Sequence, residues 1–139
     1  MTGITSEGRR SSVEKKILVV DDERMIRNML EKAFTKAGYM VKTAESAEEA
    51  LDLLNNEKIQ VMFLDLKLPN MNGVELCQEI RKHNPIAIIY AVTGYASLFE
   101  LALCREAGFD DYFTKPVNLS MLFDAAEDAF KKIDRWKKR

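Results

Sequence analysis

Asp21-Asp22, Asp65, Thr93 and Lys115 are the residues of this chain whose types and placement can do chemistry together. Each stands at the end of an apolar run or just past it. Asp65 closes Ile59–Asp65, which is apolar apart from Gln60, and the turn-rich Pro69 to Gly73 follows soon after. Carboxylates gathered in one crevice repel one another, and desolvation increases the cost. A hard cation with oxygen ligands relieves it. Mg²⁺ suits the pattern, because it accepts one or two carboxylates and keeps waters and a phosphate oxygen as its other ligands. Lys115 adds a compact positive charge and Thr93 a hydroxyl donor. Metal, ammonium and hydroxyl around one carboxylate form a cradle for a tetrahedral anion built on it. The matching chemistry is phosphoryl transfer to Asp65, giving an acyl phosphate, with metal and lysine spreading the transferring charge.

Those residues work together only if the fold brings them to one edge. A short, continuously apolar run bounded by turn residues reads as a strand buried on both faces, and such strands belong to parallel sheets. Lys16–Val20 and Ile86–Val92 read as further strands of this buried kind, Tyr39–Ala44 as a strand candidate and Phe109–Phe113 as the last strand. Helical spacing separates them. The first helix carries Ile26, Met29, Leu30 and Ala33 and stops at Gly38. Ser46 to Glu49 reads as a capping box for a helix with Ala47, Ala50, Leu51 and Leu54 inward. The stretch 73–82 turns Val74, Cys77 and Ile80 inward, and His83 at its end is read as a solvated residue at a helix C-terminus. Residues 97–107 form a helix stopped by Gly108, and Asn118 caps a last helix with Leu119, Leu122, Phe123, Ala126, Phe130 and Ile133 as its stripe. Five β-α units imply right-handed crossovers and helices on both faces of a doubly wound, flavodoxin-like α/β sheet, order 2-1-3-4-5. All carboxyl ends then share one edge, and strands 1 and 3 are neighbours across the switch point where ligands bind.

The chain of 139 residues suits one domain, and 47% hydrophobic with 31% charged content supports both a core and solubility. A net charge of −1 predicts no bulk attraction to nucleic acid or membrane. Cys77 and Cys104 form no CxxC and have no ligand spacing to His83, so free thiols in a reducing compartment are expected. With no apolar run near the ~18 residues a membrane span needs and no apolar signal region, a cytoplasmic protein is expected. Residues 1–14 read as a flexible tail, 15–135 as the folded domain and 136–139 as a basic C-terminal end.

The pieces ILVVDDE, MFLDLKLPNMNGVEL, AVTGYA and DDYFTKPV, in that order, resemble the receiver domain of two-component response regulators, the CheY-like family. The resemblance covers about residues 15–135. It implies that Asp65 is the phosphoacceptor, that Asp22, Asp65 and the backbone carbonyl of Lys67 ligate Mg²⁺ directly, and that Asp21 acts mostly through water. Thr93 and Lys115 would hold the phosphoryl group. Tyr112 matches the switch aromatic that turns inward with Thr93, and the Lys115–Pro116 bond is often cis in the family. Lys67 and Tyr95 stand where side chains affect the path of an attacking water, so Tyr95 is expected to shield the acyl phosphate. The implied function is a phosphorylation-dependent switch, not an enzyme acting on other substrates. A histidine kinase or phosphotransfer protein supplies the phosphoryl group, and the surface of helix 4, strand 5 and helix 5 controls a downstream protein or attached output domain.

Helix 4 carries Leu98, Phe99, Leu101, Leu103 and Cys104, more apolar surface than one buried face needs. Phe99 or Leu103 is expected to serve a partner or homodimer surface. The basic end, Lys131 to Arg139 with Trp136, continues the last helix as a solvated or connecting segment; no base-reading motif accompanies it. Two other readings fit less well. A haloacid-dehalogenase phosphatase wants a second Asp where Lys67 stands. A flavodoxin wants a phosphate-binding loop after strand 1, where Asp21-Asp22 would repel phosphate. Whether the domain is free-standing or the first part of a longer regulator stays open.

Overall fold

Two strands with every residue buried, β3 (Val61–Asp65) and β4 (Ile88–Thr93), form the middle of the sheet. They are flanked by β1 (Lys16–Val20), β2 (Met40–Ala44) and β5 (Asp111–Thr114). All pairs are parallel, in the order β2-β1-β3-β4-β5 expected from the sequence. The computed structural model describes residues 15–94 and 97–138. The segment 1–14 and Tyr95 lie outside the described residues.

Four helices connect the strands and a fifth follows β5: α1 (Arg24–Lys36), α2 (Ala47–Asn56), α3 (Gly73–His83), α4 (Leu98–Ala107) and α5 (Leu119–Lys137). Period-2 alternation along the strands sends side chains to two cores. Leu18, Val20, Met62, Leu64, Ile89 and Ala91 meet α2, α3 and α4 on one face. Ile17, Val19, Phe63 and Tyr90 meet α1 and α5 on the other. Aromatic rings tie the second core together: Phe34 to Phe63 at 5.2 Å and Phe63 to Tyr90 at 5.1 Å between centroids. Each ring there removes a large apolar area from water, and the offset contacts add a little more. Among the described residues, no helix is long and apolar enough to cross a membrane.

The structure corrects several boundaries. β4 begins at Ile88, two residues later than expected. Ile86 follows Pro85 and is 64% exposed. β5 begins at Asp111. Phe109 is buried, but it closes the turn after α4 by donating its amide to the Cys104 carbonyl. In α1, Met29 is exposed and the unforeseen Phe34 is fully buried. In α3 the buried apolar positions are Leu76, Cys77 and Ile80, while Val74 is only partly buried. Ser46 does accept from the Glu49 amide, but the Glu49 carboxylate reaches the amide of Glu45 instead of Ser46, so the box is displaced by one residue. Complete boxes stand at Asn72/Glu75 and Ser97/Glu100. Trp136 and Lys137 belong to the last turn of α5.

Candidate functional site

The register of the sheet brings the chemistry to one edge. Val20 pairs with Leu64, Asp65 with Val92, and Thr93 with Thr114. Asp21 therefore emerges beside Asp65, and Lys115 emerges beside Thr93. Asp21, Asp65 and Thr93 are the buried polar side chains of the described residues, at 2%, 5% and 1% exposure. A carboxylate so buried is costly unless paired and hydrogen-bonded. Lys115 supplies the pairing: its Nζ lies 2.9 Å from Asp21 Oδ2 and 3.4 Å from Asp65 Oδ2. It also touches Glu23 Oε1 at 3.1 Å.

The acids are further held by backbone. Asp21 Oδ1 accepts from the Glu23 amide at 2.9 Å, and Asp65 Oδ1 accepts from the Lys67 amide at 3.2 Å. Arg27 Nη1 donates to the Asp21 carbonyl at 2.8 Å. Lys115 is held from its own backbone, since its amide donates to the Thr93 carbonyl at 2.8 Å; the Lys115–Pro116 peptide is cis. Burial, and next the Asp21 charge, push the Asp65 carboxyl up to about 6; Lys115 and the Lys67 amide pull the other way. Burial alone would lower the Lys115 ammonium, yet its hydrogen bond to the Asp21 carboxylate and the charges of Asp65 and Asp21 raise it above the ordinary lysine range. The lysine is therefore a fixed cation among three carboxylates.

The donor set also suits a hard cation. Asp21, Asp22 and Asp65 each present an oxygen, and these oxygens lie within 4.8 Å of one another. Asp22 is exposed and Asp21 and Asp65 are buried, so the group opens to solvent on one side. Oxygen-only ligands, few in number and open to water, match the way Mg²⁺ is bound better than they match a soft metal.

Sequence reading named Asp21, Asp22, Asp65, Thr93 and Lys115, and the fold brings them to one edge. Tyr112 lies in β5, paired with Ala91 two residues before Thr93, and is 42% exposed. Three participants were missed or undervalued. Glu23, next in sequence after Asp21-Asp22, reaches Lys115. Arg27 braces the Asp21 backbone. Gly73 opens α3 directly against Asp65: a Cβ built there would lie 2.2 Å from the Asp65 carbonyl oxygen. The signal for Gly73 was its place at the end of the Asn70-Met71-Asn72 turn. Nothing local marks the contact of Glu23, 92 residues from its partner.

Comparison with known proteins agrees with this geometry. The response regulator receiver domain family matches residues 17–127. The alkaline phosphatase synthesis transcriptional regulatory protein PhoP of Bacillus subtilis is 40% identical over 104 residues, 75% of this chain and 43% of that protein. A cyclic di-GMP phosphodiesterase of Thermotoga maritima is 35% identical over 106 residues, 76% of this chain and 28% of that protein. The chain thus spans less than half the length of these curated relatives. The crystal structure of a CheY-like response regulator receiver domain protein from Methanospirillum hungatei superposes with a TM-score of 0.77 at 35% identity, covering 85% of this chain and 98% of that one. The chain belongs to the receiver domain family of two-component response regulators, whose members work as phosphorylation-dependent signalling switches.

Proposed function

We propose that Asp65 accepts the phosphoryl group of this switch, and that α4, β5 and α5 carry the signal outward. The observation that carries the reading is the buried Asp65 carboxylate, with Lys115 Nζ 3.4 Å from it and a second buried carboxylate beside it. In the step itself an Asp65 oxygen attacks the phosphorus of a phosphohistidine on a kinase or phosphotransfer protein. The P–N bond breaks as the P–O bond forms, and the imidazole leaves with a proton. Bound at Asp22, Asp65 and the Lys67 carbonyl, with Asp21 acting through water, Mg²⁺ would neutralise charge on the transferring oxygens.

The chain's own groups do the rest. Lys115 exchanges its contacts with Asp21 and Glu23 for a phosphoryl oxygen. Thr93 turns its hydroxyl towards another, and Tyr112 moves into the space that this opens. The phosphorylated state is favoured by as much as these contacts differ between the two arrangements. Exposed apolar side chains support a readout on this face: Leu98 at 86%, Phe99 at 72%, Leu103 at 36% and Met121 at 53%. Single exposed apolar side chains are ordinary, but three on the ten-residue α4 favour an interaction patch there. The patch serves a downstream protein, an attached output domain or a second copy of the chain, and residues 15–135 form the switching unit.

The test uses ¹⁵N-labelled protein with Mg²⁺ and beryllofluoride, which mimics a phosphoryl group on a carboxylate. Amide shifts should be largest at Thr93, Tyr112 and α4, and absent in Asp65→Asn. Shifts confined to Asp21, Asp22 and Asp65 would refute the readout, and identical shifts in Asp65→Asn would refute the acceptor.

A further inference from the structure

The opposite edge of the sheet, where the strands begin, carries a second hollow that the phosphorylation chemistry does not use. Its volume is about 660 Å³, within the range of roughly 300–1,000 Å³ typical of ligand pockets. It lies between the last turns of α5 and the loop that leads into β4. Its wall is apolar: Ile133 lies at the base, while Ile86 and Trp136 stand at 64% and 68% exposure. Arg81 closes one side, but its guanidinium is already committed to Asp110 at 3.0 Å and to the Gly108, Ala87 and Pro85 carbonyls.

The rim is different. Lys58, Lys132 and Lys137 line it, and among the described residues none of the three has an ion-pair partner. An adjoining hollow shares Lys58, Ile133 and Lys137 and adds Lys15 and Lys16, with Asp134 as its acid. Lys16 pairs with Glu57 at 3.6 Å, so that acid is already engaged. A chain of net charge −1 is thus polarised, acidic at the phosphorylation edge and basic at the other.

We propose that this hollow binds an acidic peptide segment with an apolar anchor side chain. The anchor enters between Ile86, Ile133 and Trp136. The flanking carboxylates meet Lys58, Lys132 and Lys137. Unpaired rim cations favour an anionic partner and speed its encounter. The apolar wall with an exposed tryptophan favours a side chain over a phosphate backbone, since buried aromatic anchors carry most of the energy of such contacts.

Trp136 is the only tryptophan of the chain and reports on the site directly. The intact protein is titrated with a short, Trp-free peptide of Asp, Glu and Ser bearing two Leu, and Trp136 emission is followed. Parallel titrations use the same peptide with Ser for Leu, a Lys-for-acid counterpart and a single-stranded oligonucleotide. A saturable blue shift with the acidic, Leu-bearing peptide is expected. Affinity should fall at least tenfold in Lys58→Glu/Lys132→Glu/Lys137→Glu and in Ile86→Asp, with circular dichroism unchanged. Asp65→Asn should bind as well as wild type, which separates this site from the phosphorylation edge.

Absence of saturable binding overturns the proposal. So does equal binding of the Ser peptide or tighter binding of the oligonucleotide, which would make the edge a general polyanion surface. Self-association lost on lysine reversal, without peptide binding, would assign the hollow to a second copy and also overturn it.

Discussion

Gly73→Ala is a small change with a large expected effect, because α3 begins against the backbone of the phosphoacceptor. The added Cβ would lie 2.2 Å from the Asp65 carbonyl oxygen, 2.8 Å from Leu66 Cα and 3.0 Å from the Asp65 carbonyl carbon. A relaxed carbon-to-carbonyl-oxygen contact is about 3.3 Å or more, so helix and strand end must separate by about 1 Å. Neither side yields easily. The Gly73 amide donates to the Leu66 carbonyl at 2.9 Å, and the Asn72/Glu75 box fixes the first turn of α3. Alanine gains up to ~1 kcal/mol in helix propensity. Overpacking costs ~1–3 kcal/mol, and a weakened Gly73–Leu66 hydrogen bond costs about 1 kcal/mol more. The expected net loss is ~2 kcal/mol, a fall of roughly 6–10 °C in Tm for a chain of this size. Displacing Asp65 from Lys115 should also slow phosphorylation by acetyl phosphate by at least ~10-fold, since misplacement by ~1 Å can cost up to ~100-fold. Thermal unfolding without metal and the rate of adduct formation are the two assays. Gly94→Ala is the control, because a Cβ at Gly94 meets nothing within 4 Å. Wild-type melting and wild-type phosphorylation in Gly73→Ala would refute the close-approach argument.

Three further outcomes are expected. In EDTA, the Asp65 carboxyl titrates at about 6 when folded against 3.8 as its ordinary value. The folded state then holds the proton more tightly, and wild type loses stability as pH rises from about 4 through 6. Asp65→Asn should accordingly be more stable than wild type at pH 7 by up to about 3 kcal/mol, with the gap closing near pH 4; a constant gap in denaturant titrations would contradict this. Lys115→Met leaves Asp21 and Asp65 without their shared cation, so the metal-free protein should lose ~3–5 kcal/mol, with millimolar Mg²⁺ restoring most of it by calorimetry. Phe99→Ala, at a 72% exposed position, should change stability by less than ~0.5 kcal/mol while weakening self-association or partner binding in the beryllofluoride-activated state; unchanged binding would remove α4 from the readout.

The sheet was legible because Ile17–Val20 and Val61–Leu64 are continuously apolar and lead straight into acids, a pattern that points to strands covered on both faces. Strand starts were less legible. Ile86 and Phe109 are apolar, but apolar character signals burial or contact, not ladder pairing. Ile86 is exposed after Pro85, and Phe109 is buried in a turn. The inward positions of α1 and α3 were incomplete because Phe34 and Leu76 share their stripes with residues of similar apolarity, and only packing decides among them. The site's main acids, threonine and lysine could be read because a parallel sheet sends all strand ends to one edge. Glu23 could not, since Lys115 is remote from it in sequence and the contact depends on side-chain reach.

Intact mass after incubation with Mg²⁺ and acetyl phosphate tests the central claim most directly, with Asp65→Asn alongside. The account predicts a gain of one phosphoryl group in wild type, none in Asp65→Asn and none in EDTA. An adduct that persists in Asp65→Asn, or that forms equally in EDTA, would contradict it.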